Sequence, residues 1–274
     1  MLYYLVRLTI ILALAYAVAC VAVVFLQRHL IYVPAKEAGQ PADFGLPGVT
    51  VGSLETPDGE HLETWRWHGS GDKPVIVFFH GNAGNLEDRH DVFQMFRGLG
   101  YGFVALDYRG YGNSTGTPSY KALINDALLV FDHTSSSPEF AGRKMVLYGE
   151  SLGTGVATEV ATRRRVGGLI LQSPYTTVAD AARERFPWLP VDLLLTERFS
   201  TVPQISSINA PLLVLHGAED ELFPSAMAQR VFDEASGRKV IDIMAGLGHN
   251  DIYPDDIEDA IADFVEPTVA GRAD

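Results

Sequence analysis

Cysteine is almost absent from this sequence, since Cys20 is the only one among 274 residues. One thiol cannot close an intramolecular disulfide or build a cysteine-based metal site. We therefore expect the protein to need no metal and no cofactor. A zinc site assembled from His80, Asp220 and His249 is the alternative, and insensitivity to chelators would exclude it.

Positive charge is also scarce: 21 lysines and arginines stand against 34 aspartates and glutamates, which gives a net charge of −13. A surface with this balance repels phosphate backbones, so nucleic acid is not an expected partner. The sequence shows no internal repeats and no low-complexity segments, and 47% of its residues are hydrophobic. Its length and composition predict one folded domain with a sizeable core.

One long apolar run stands near the N-terminus. Residues 8–26 read LTIILALAYAVACVAVVFL and carry no charge, which is long enough to cross a bilayer as a single helix. We therefore expect an uncleaved membrane anchor. A signal peptide cleaved after residues 17–19 (Ala-Val-Ala) and a lipid-modified Cys20 are the alternatives. Basic residues flank both ends of the run, so the charges favour neither orientation in the membrane.

The rest of the chain alternates between two patterns. Short continuous apolar runs, typical of buried parallel strands, are separated by segments with the spacing of amphipathic helices. This alternation predicts the α/β class, with a mostly parallel sheet and helices on both faces. The predicted strands are an antiparallel one at 61–67 and buried ones at 75–79, 102–106, 145–148, 169–171, 212–215 and 240–243. The predicted helices cover 86–99, 119–133, 152–164, 225–235 and 254–264.

The alternation also suggests how the chain is divided. Residues 1–27 are the predicted anchor, and the proline- and glycine-rich residues 28–48 favour a tether. We place the catalytic domain at 49–267, followed by a C-terminal tail at 268–274. Within the domain, residues 174–208 contain several prolines and no strand pattern. A long insertion at the carboxyl ends of strands is typically functional, so we predict a small helical cap there.

The segment Gly149-Glu150-Ser151-Leu152-Gly153 lies between a predicted strand and a predicted helix. In that context a Gly-x-Ser-x-Gly elbow presents a serine hydroxyl as a nucleophile. The serine of such an elbow holds a strained backbone angle, and glycines two residues away on each side avoid collisions with the neighbouring elements. We therefore expect Ser151 to be the catalytic nucleophile.

A serine hydroxyl needs a base, and the base needs a group that holds it in the correct tautomer. In doubly wound hydrolases the order along the chain is serine, acid, histidine, with each partner on a loop after a strand. We predict Asp220 as the acid and His249, in the loop after the last strand, as the base. Glu219, Glu221 and Asp251 are the alternative acids.

The negative charge that develops on the substrate oxygen needs N–H donors held in place. One predicted donor is the backbone N–H of Leu152, directly after the nucleophile. The second is the backbone N–H of Asn82 in the loop after strand 75–79, with Ala83 as the alternative. This loop lacks the Gly-Lys-Ser/Thr ending of a phosphate-binding loop, so we do not expect it to bind a nucleotide.

Five segments together carry a resemblance to a known family. They are HGNAGN at 80–85, DYRGYGNSTGTPS at 107–119, GESLGTG at 149–155, HGAEDELFP at 216–224 and GHND at 248–251. In these motifs the chain resembles the α/β-hydrolase fold superfamily, and within it the membrane-anchored serine hydrolases of the BEM46/ABHD13/ABHD17 type. The resemblance implies Ser151, Asp220 and His249 as a catalytic triad. It also implies an oxyanion hole at Asn82 and Leu152.

The resemblance has two further implications. Asp107, Arg109 and Gly110 match a structural segment, which implies an ion pair and a turn beside the site. The resemblance to the ABHD17 branch implies thioester hydrolysis of S-acylated proteins. The cysteine-rich N-terminus of that branch is absent here.

The residues and the resemblance predict a membrane-anchored serine hydrolase that cleaves carboxylic esters or thioesters through an acyl-enzyme. Apolar cap residues such as Phe186, Trp188 and Leu194 suggest a lipid-like acyl group, with plain packing as their alternative role. An amidase or acyltransferase that uses the same triad, or a catalytically silent anchored scaffold, are the alternative functions.

Overall fold

Within residues 1–270, eight strands form one central sheet. The structure is a computed structural model that describes the backbone of these residues and the side chains up to residue 267. The strands are β1 (Thr50–Glu55), β2 (His61–Trp67), β3 (Val75–Phe79), β4 (Gly102–Leu106), β5 (Met145–Glu150), β6 (Gly168–Gln172), β7 (Leu212–Gly217) and β8 (Lys239–Met244). Their order is β8-β7-β6-β5-β3-β4-β2-β1. Strands β3 to β8 are parallel, and β1 and β2 are antiparallel.

Helices cover both faces of this sheet, which confirms the predicted α/β class. They are α1 (Leu2–Ile31), α2 (His90–Gly98), α3 (Tyr120–Ser136), α4 (Leu152–Arg163), α5 (Val178–Arg185), α6 (Val191–Leu194), α7 (Val202–Ile205), α8 (Ser225–Glu234) and α9 (Pro254–Ala270). Strand β3 shows why its run is continuously apolar. Val75, Val77 and Phe79 face the helices α3, α4 and α8, whereas Ile76 and Phe78 face α2 and α9. All five are fully buried, and each such side chain contributes about 1.5–3 kcal/mol.

Several helix boundaries are set by capping side chains. Ser119 precedes α3 and accepts a hydrogen bond from the N–H of Ala122 at 3.3 Å, which satisfies one of the free donors at the helix start.

The predicted helix 86–99 begins as a 3₁₀ turn over Leu86–Arg89, and its α-helical part begins only at His90.

The end of α9 also differs from the prediction. The helix was expected to end at residue 264 and continues to Ala270. The predicted tail covers residues 268–274. Residues 271–274 lie outside the described part of the chain, so most of this prediction is not tested.

Two elements before the sheet core were not predicted. Strand β1 pairs with β2 and extends the sheet by one strand. In residues 28–48, Val33–Pro34 pair with Ala83–Gly84, and Tyr32 and Leu46 are buried. Apolar side chains scattered among prolines and glycines give no periodic signal, so a sequence pattern does not reveal this packing. The domain boundaries themselves stay a prediction.

Arg109 forms the ion pair that connects the loop after β4 to α3. Its guanidinium contacts Asp126 through two hydrogen bonds of 2.6 Å, and it lies 2.9 Å from the more exposed Asp58. Asp107 does not take part, because its carboxylate accepts the N–H of Leu86 at 3.1 Å. The ion pair implied for this segment therefore joins Arg109 to α3 and not to Asp107.

The two partners of Arg109 should differ in their contributions to stability. Asp126→Ala leaves a buried guanidinium without its main partner, which costs about 3–5 kcal/mol. Asp58→Ala removes an exposed partner of the same group and should cost about 0–1 kcal/mol. The measurement is the free energy of unfolding in urea. Equal losses in the two variants would contradict this assignment.

Candidate active site

Ser151 lies between β5 and α4 with φ at 50° and ψ at −114°, a left-handed backbone that non-glycine residues rarely adopt. The two elbow glycines permit the tight packing around it. A Cβ added to Gly149 would lie 2.4 Å from the carbonyl oxygen of Gly153. One added to Gly153 would lie 2.0 Å from the carbonyl oxygen of Phe79. Neither contact is sterically possible, so both positions require glycine.

The structure brings Ser151, His249 and Asp220 together in one hydrogen-bonded chain. The Ser151 Oγ lies 2.9 Å from Nε2 of His249, and Nδ1 of His249 lies 2.6 Å from Oδ2 of Asp220. All three side chains are largely buried. They are 98 and 29 residues apart along the chain, and they meet because the loops after β5, β7 and β8 leave the same edge of a parallel sheet.

The carboxylate of Asp220 is held by more than the histidine. Its Oδ1 accepts the backbone N–H groups of Leu222 and Phe223, each at 2.8 Å. Burial acts against its negative charge, but the hydrogen bonds from His249 and Phe223 outweigh burial and lower the pKa of Asp220. Asp220 is therefore ionised at neutral pH and oriented toward Nδ1 of His249.

Two neighbours fix the imidazole and the acid loop. The ring of Phe223 packs edge-on against the ring of His249, with centroids 5.0 Å apart. His216, which is fully buried, lies at the end of β7, and its Nε2 donates to the carbonyl oxygen of Phe223 at 2.8 Å. Burial lowers the pKa of His216, so it is neutral and acts as a brace for the loop.

The alternative residues take other positions. Asp251 accepts the N–H of Gly248 at 2.9 Å and so shapes the turn that carries His249. Nδ1 of His80 donates to the carbonyl oxygen of Gly81 at 2.7 Å, and its ring packs against Tyr108. Among the described residues no group of three or more His, Cys, Asp or Glu side chains is arranged to hold a metal ion.

Leu152 and Asn82, the predicted oxyanion donors, lie directly after the nucleophile and in the loop after β3. Leu152 is the first residue of α4, where backbone N–H groups have no partner within the helix. Asn82 is held by three contacts of its other groups: its side chain donates to Ile31, and its carbonyl oxygen accepts from Val33 and from the hydroxyl of Tyr111. None of these three contacts uses the backbone N–H of Asn82.

Sequence reasoning missed a charged pair beside the nucleophile. Arg89 contacts the carboxylate of Glu150 with two hydrogen bonds, at 3.0 and 3.2 Å. Burial acts against the charge of Glu150, but Arg89 outweighs it and lowers the pKa of Glu150. The acidic Glu150 inside the elbow was a signal for a basic partner nearby. The sequence does not show which arginine is that partner.

With the geometry described, comparisons place the chain among known proteins. The Hydrolase_4 family model, described as "Serine aminopeptidase, S33", matches residues 71–203. An uncharacterized protein of Mycobacterium tuberculosis is 34% identical over 227 residues, which cover 82% of this chain and 81% of the relative. Lysophosphatidylserine lipase ABHD12 of Danio rerio is 31% identical over 189 residues, or 62% of this chain. The match spans about half, 49%, of that lipase.

Solved structures agree on the fold. An esterase of Pyrococcus furiosus aligns with a TM-score of 0.72 at 19% identity, covering 88% of this chain and 98% of the esterase. Mouse alpha/beta hydrolase domain-containing protein 10 aligns with a TM-score of 0.61 at 22% identity, covering 78% of this chain and 96% of the mouse chain.

These matches and the sheet order define an α/β-hydrolase fold protein. Within that class, the chain belongs to the same family as the mycobacterial protein.

The lowered pKa of Asp220 makes stability depend on pH. The folded-state pKa lies below the unfolded value of about 3.9, so the ionised carboxylate stabilises the fold above about pH 4. This contribution is lost as pH falls through the folded-state pKa. The difference in free energy of unfolding between wild type and Asp220→Asn should therefore be constant near neutral pH and shrink below about pH 4.

Urea unfolding in detergent, followed by fluorescence from about pH 3 to 7, measures this difference. Asp72→Asn, on an exposed loop residue, is the matched control and should track the wild type. A difference for Asp220→Asn that does not change with pH would contradict the role given to its charge.

Proposed function

We propose that this protein is a membrane-anchored serine hydrolase that cleaves a carboxylic ester or thioester. The observation that supports this most directly is the hydrogen-bonded chain from Ser151 through His249 to Asp220. It contains a nucleophile, a base within reach of that nucleophile and a carboxylate that orients the base.

In the proposed acylation step, Ser151 Oγ attacks the substrate carbonyl carbon while Nε2 of His249 accepts its proton. The ionised Asp220 stabilises the imidazolium through Nδ1 of His249. The N–H groups of Leu152 and Asn82 are the proposed donors to the oxyanion. Removing one such donor typically raises the barrier by about 3–4 kcal/mol.

Collapse of the tetrahedral intermediate breaks the bond to the leaving alcohol or thiol, which takes the proton from His249. Water then attacks the acyl-enzyme, and His249 accepts a proton from that water. The second intermediate releases the carboxylic acid and restores the Ser151 hydroxyl with the proton carried by His249. Each step needs only the groups at the site.

The comparisons support an ester as the substrate. The ABHD12 relatives are named lysophosphatidylserine lipases, and a structural neighbour is an esterase. The finer resemblance to the BEM46/ABHD13/ABHD17 type, and with it thioester hydrolysis, is part of this proposal. The family model is described as a serine aminopeptidase, so amide hydrolysis by the same triad is the alternative to test.

The anchor is proposed from α1. This helix has 30 residues, a mean hydropathy of 2.8, and none of its most apolar window is buried in the protein. A signal sequence near an N-terminus passes the same test, so the intact mass of the purified protein decides between them. With the anchor retained, the proposed division is 1–27 for the anchor, 28–48 for the tether and 49–267 for the catalytic domain.

Ser151→Ala should abolish covalent labelling by a fluorophosphonate probe and reduce ester hydrolysis by at least about 10⁴-fold, because the nucleophile is gone. Ser173→Ala is the matched control. Like Ser151, Ser173 is buried and has a positive φ, with 1% exposure and a φ of 51°, yet it has no place in the proposed chemistry. Its variant should label like wild type. A wild type that never reacts would support the silent scaffold.

Substrate class is tested with p-nitrophenyl esters, acyl-CoA thioesters and p-nitroanilides of graded acyl length. We expect turnover of esters or thioesters to exceed that of anilides in kcat/KM, with Ser151→Ala as the background. Anilides cleaved faster than both would replace the proposed esterase with an amidase.

A further inference from the structure

The C-terminal half of α1 packs against the cap segment along one face. The residues of α1 that are at least partly buried follow a repeat of three or four, at Ala19, Cys20, Ala22, Val23, Gln27 and Ile31. Three or four residues is the repeat of one helix face. The anchor therefore runs alongside the cap and does not merely connect to it.

Polar contacts mark both ends of this packing. Gln27 donates to the carbonyl oxygen of Leu194 at 3.2 Å and accepts the N–H of Thr196 at 2.8 Å. Further toward the N-terminus, the Tyr16 hydroxyl donates to the carbonyl oxygen of Trp188 at 2.9 Å. Tyr16 and Gln27 are 11 residues apart in the sequence, which corresponds to about 16 Å along a helix. The cap thus follows α1 over that distance.

The separation of Tyr16 and Gln27 along α1 is too long for the cap to lie wholly in water while α1 spans the membrane. The uncharged run of α1, residues 8–26, has 19 residues and is about 28 Å long, which only just matches a hydrocarbon core of about 30 Å. Lifting Tyr16 to the membrane surface would leave just residues 8–15 to cross the bilayer, a length of about 12 Å. An anchor that spans the bilayer therefore carries Trp188 into it.

We propose that residues 186–195 insert into the hydrocarbon core of the leaflet next to the catalytic domain, and that the cavity between them and α1 holds a lipid acyl chain. This proposal rests on the membrane anchoring of the proposed function and adds an interaction surface to it.

The surface chemistry of the segment fits hydrocarbon. Phe186, Trp188 and Leu193 are 42%, 56% and 82% exposed, a concentration of large apolar side chains that is unusual for a surface in water. The one acidic residue among them, Asp192, is paired with Arg183 at 2.8 Å, so the segment carries no isolated charge into the membrane.

The backbone of the segment also meets the main requirement of a lipid environment, which is that polar groups find partners within the protein. The N–H groups of Leu189, Val191 and Leu195 donate to carbonyl oxygens of the segment itself. Pro187 and Pro190 have no N–H to satisfy. The carbonyl oxygens of Trp188 and Leu194 accept from α1, as described above.

The cavity lies at the seam between α1 and the cap, with a volume of about 310 Å³. Its lining is almost wholly apolar, with Val23 and Leu30 from α1, Val178 from α5, and Trp188 and Leu194 from the cap. Because the α1 side of this cavity belongs to the membrane helix, its natural occupant is an acyl chain of the surrounding lipid.

The depth of Trp188 is measured by fluorescence quenching of the full-length protein in phosphatidylcholine vesicles. Bromine at the middle of the acyl chains should quench Trp188 more than bromine near the headgroup, and aqueous acrylamide should quench it least. The signal of Trp188 is the difference between wild type and Trp188→Phe, so the other two tryptophans, Trp65 and Trp67, need not be replaced. A Trp188 signal quenched mainly by acrylamide would overturn the insertion.

Occupancy of the cavity is tested with phosphatidylcholine that carries a diazirine on its acyl chain. Cross-links should form on the α5 peptide that contains Val178 and Ala182, which line the cavity and do not belong to the membrane helix. Leu194→Trp fills the cavity and should cause their loss. Leu193→Trp, at the adjacent position outside the cavity, is the matched control and should retain them. Equal cross-linking in the two variants would remove the acyl-chain site.

Both measurements are made on Ser151→Ala as well, where no turnover occurs. Insertion and cross-linking that persist in this variant separate the proposal from catalysis. If the hydrolase function fails while quenching and cross-linking hold, the proposed surface stands. If they are lost while ester hydrolysis holds, the surface is wrong and the enzyme assignment is untouched.

Discussion

The close approach of α4 to the sheet is the constraint on which the site depends. The backbone at Gly153 touches the carbonyl oxygen of Phe79 so closely that no side chain fits. This contact fixes the turn between β5 and α4 and forces Ser151 into a left-handed conformation. Because β5, β7 and β8 are parallel, the loops that carry the acid and the histidine leave the sheet at the same edge. The geometry of the hydrogen-bonded chain follows from these two facts.

Local patterns were enough to predict most of this architecture. The buried strands β3 to β7 are continuous apolar runs because both faces of the sheet are covered there. Strand β8 was predicted to be buried, but it lies at the edge of the sheet, where Val240 is 42% exposed. The elbow, Asp220 and His249 each follow a parallel strand, as predicted. What the sequence did not reveal depends on distant partners. The pairing of Glu150 with Arg89 joins residues 61 positions apart, and no periodicity connects them. The packing of Tyr32 and Leu46 was hidden by the prolines and glycines around them.

Glu197 is the clearest example of information that only the fold contains. It is 1% exposed and lies in a stretch without periodicity. Its carboxylate accepts three hydrogen bonds: from Nε of Arg28 at 2.9 Å, from the hydroxyl of Tyr32 at 2.6 Å and from the backbone N–H of Tyr120 at 2.5 Å. A buried carboxylate is stable only when such donors surround it. The end of α1 is therefore joined to the cap and to the start of α3 through one side chain, which restrains the anchor relative to the domain.

This restraint brings the seam at α1 and the candidate active site into one structural unit. The segment after β6 runs from the elbow to the cavity: Tyr175 donates to the carbonyl oxygen of Leu152 at 3.3 Å, and Val178 at the start of α5 lines the cavity. The ring of Tyr175 also packs against Phe223, which in turn packs against His249. A continuous series of packed side chains therefore connects the segment that carries the cap with the ring of His249.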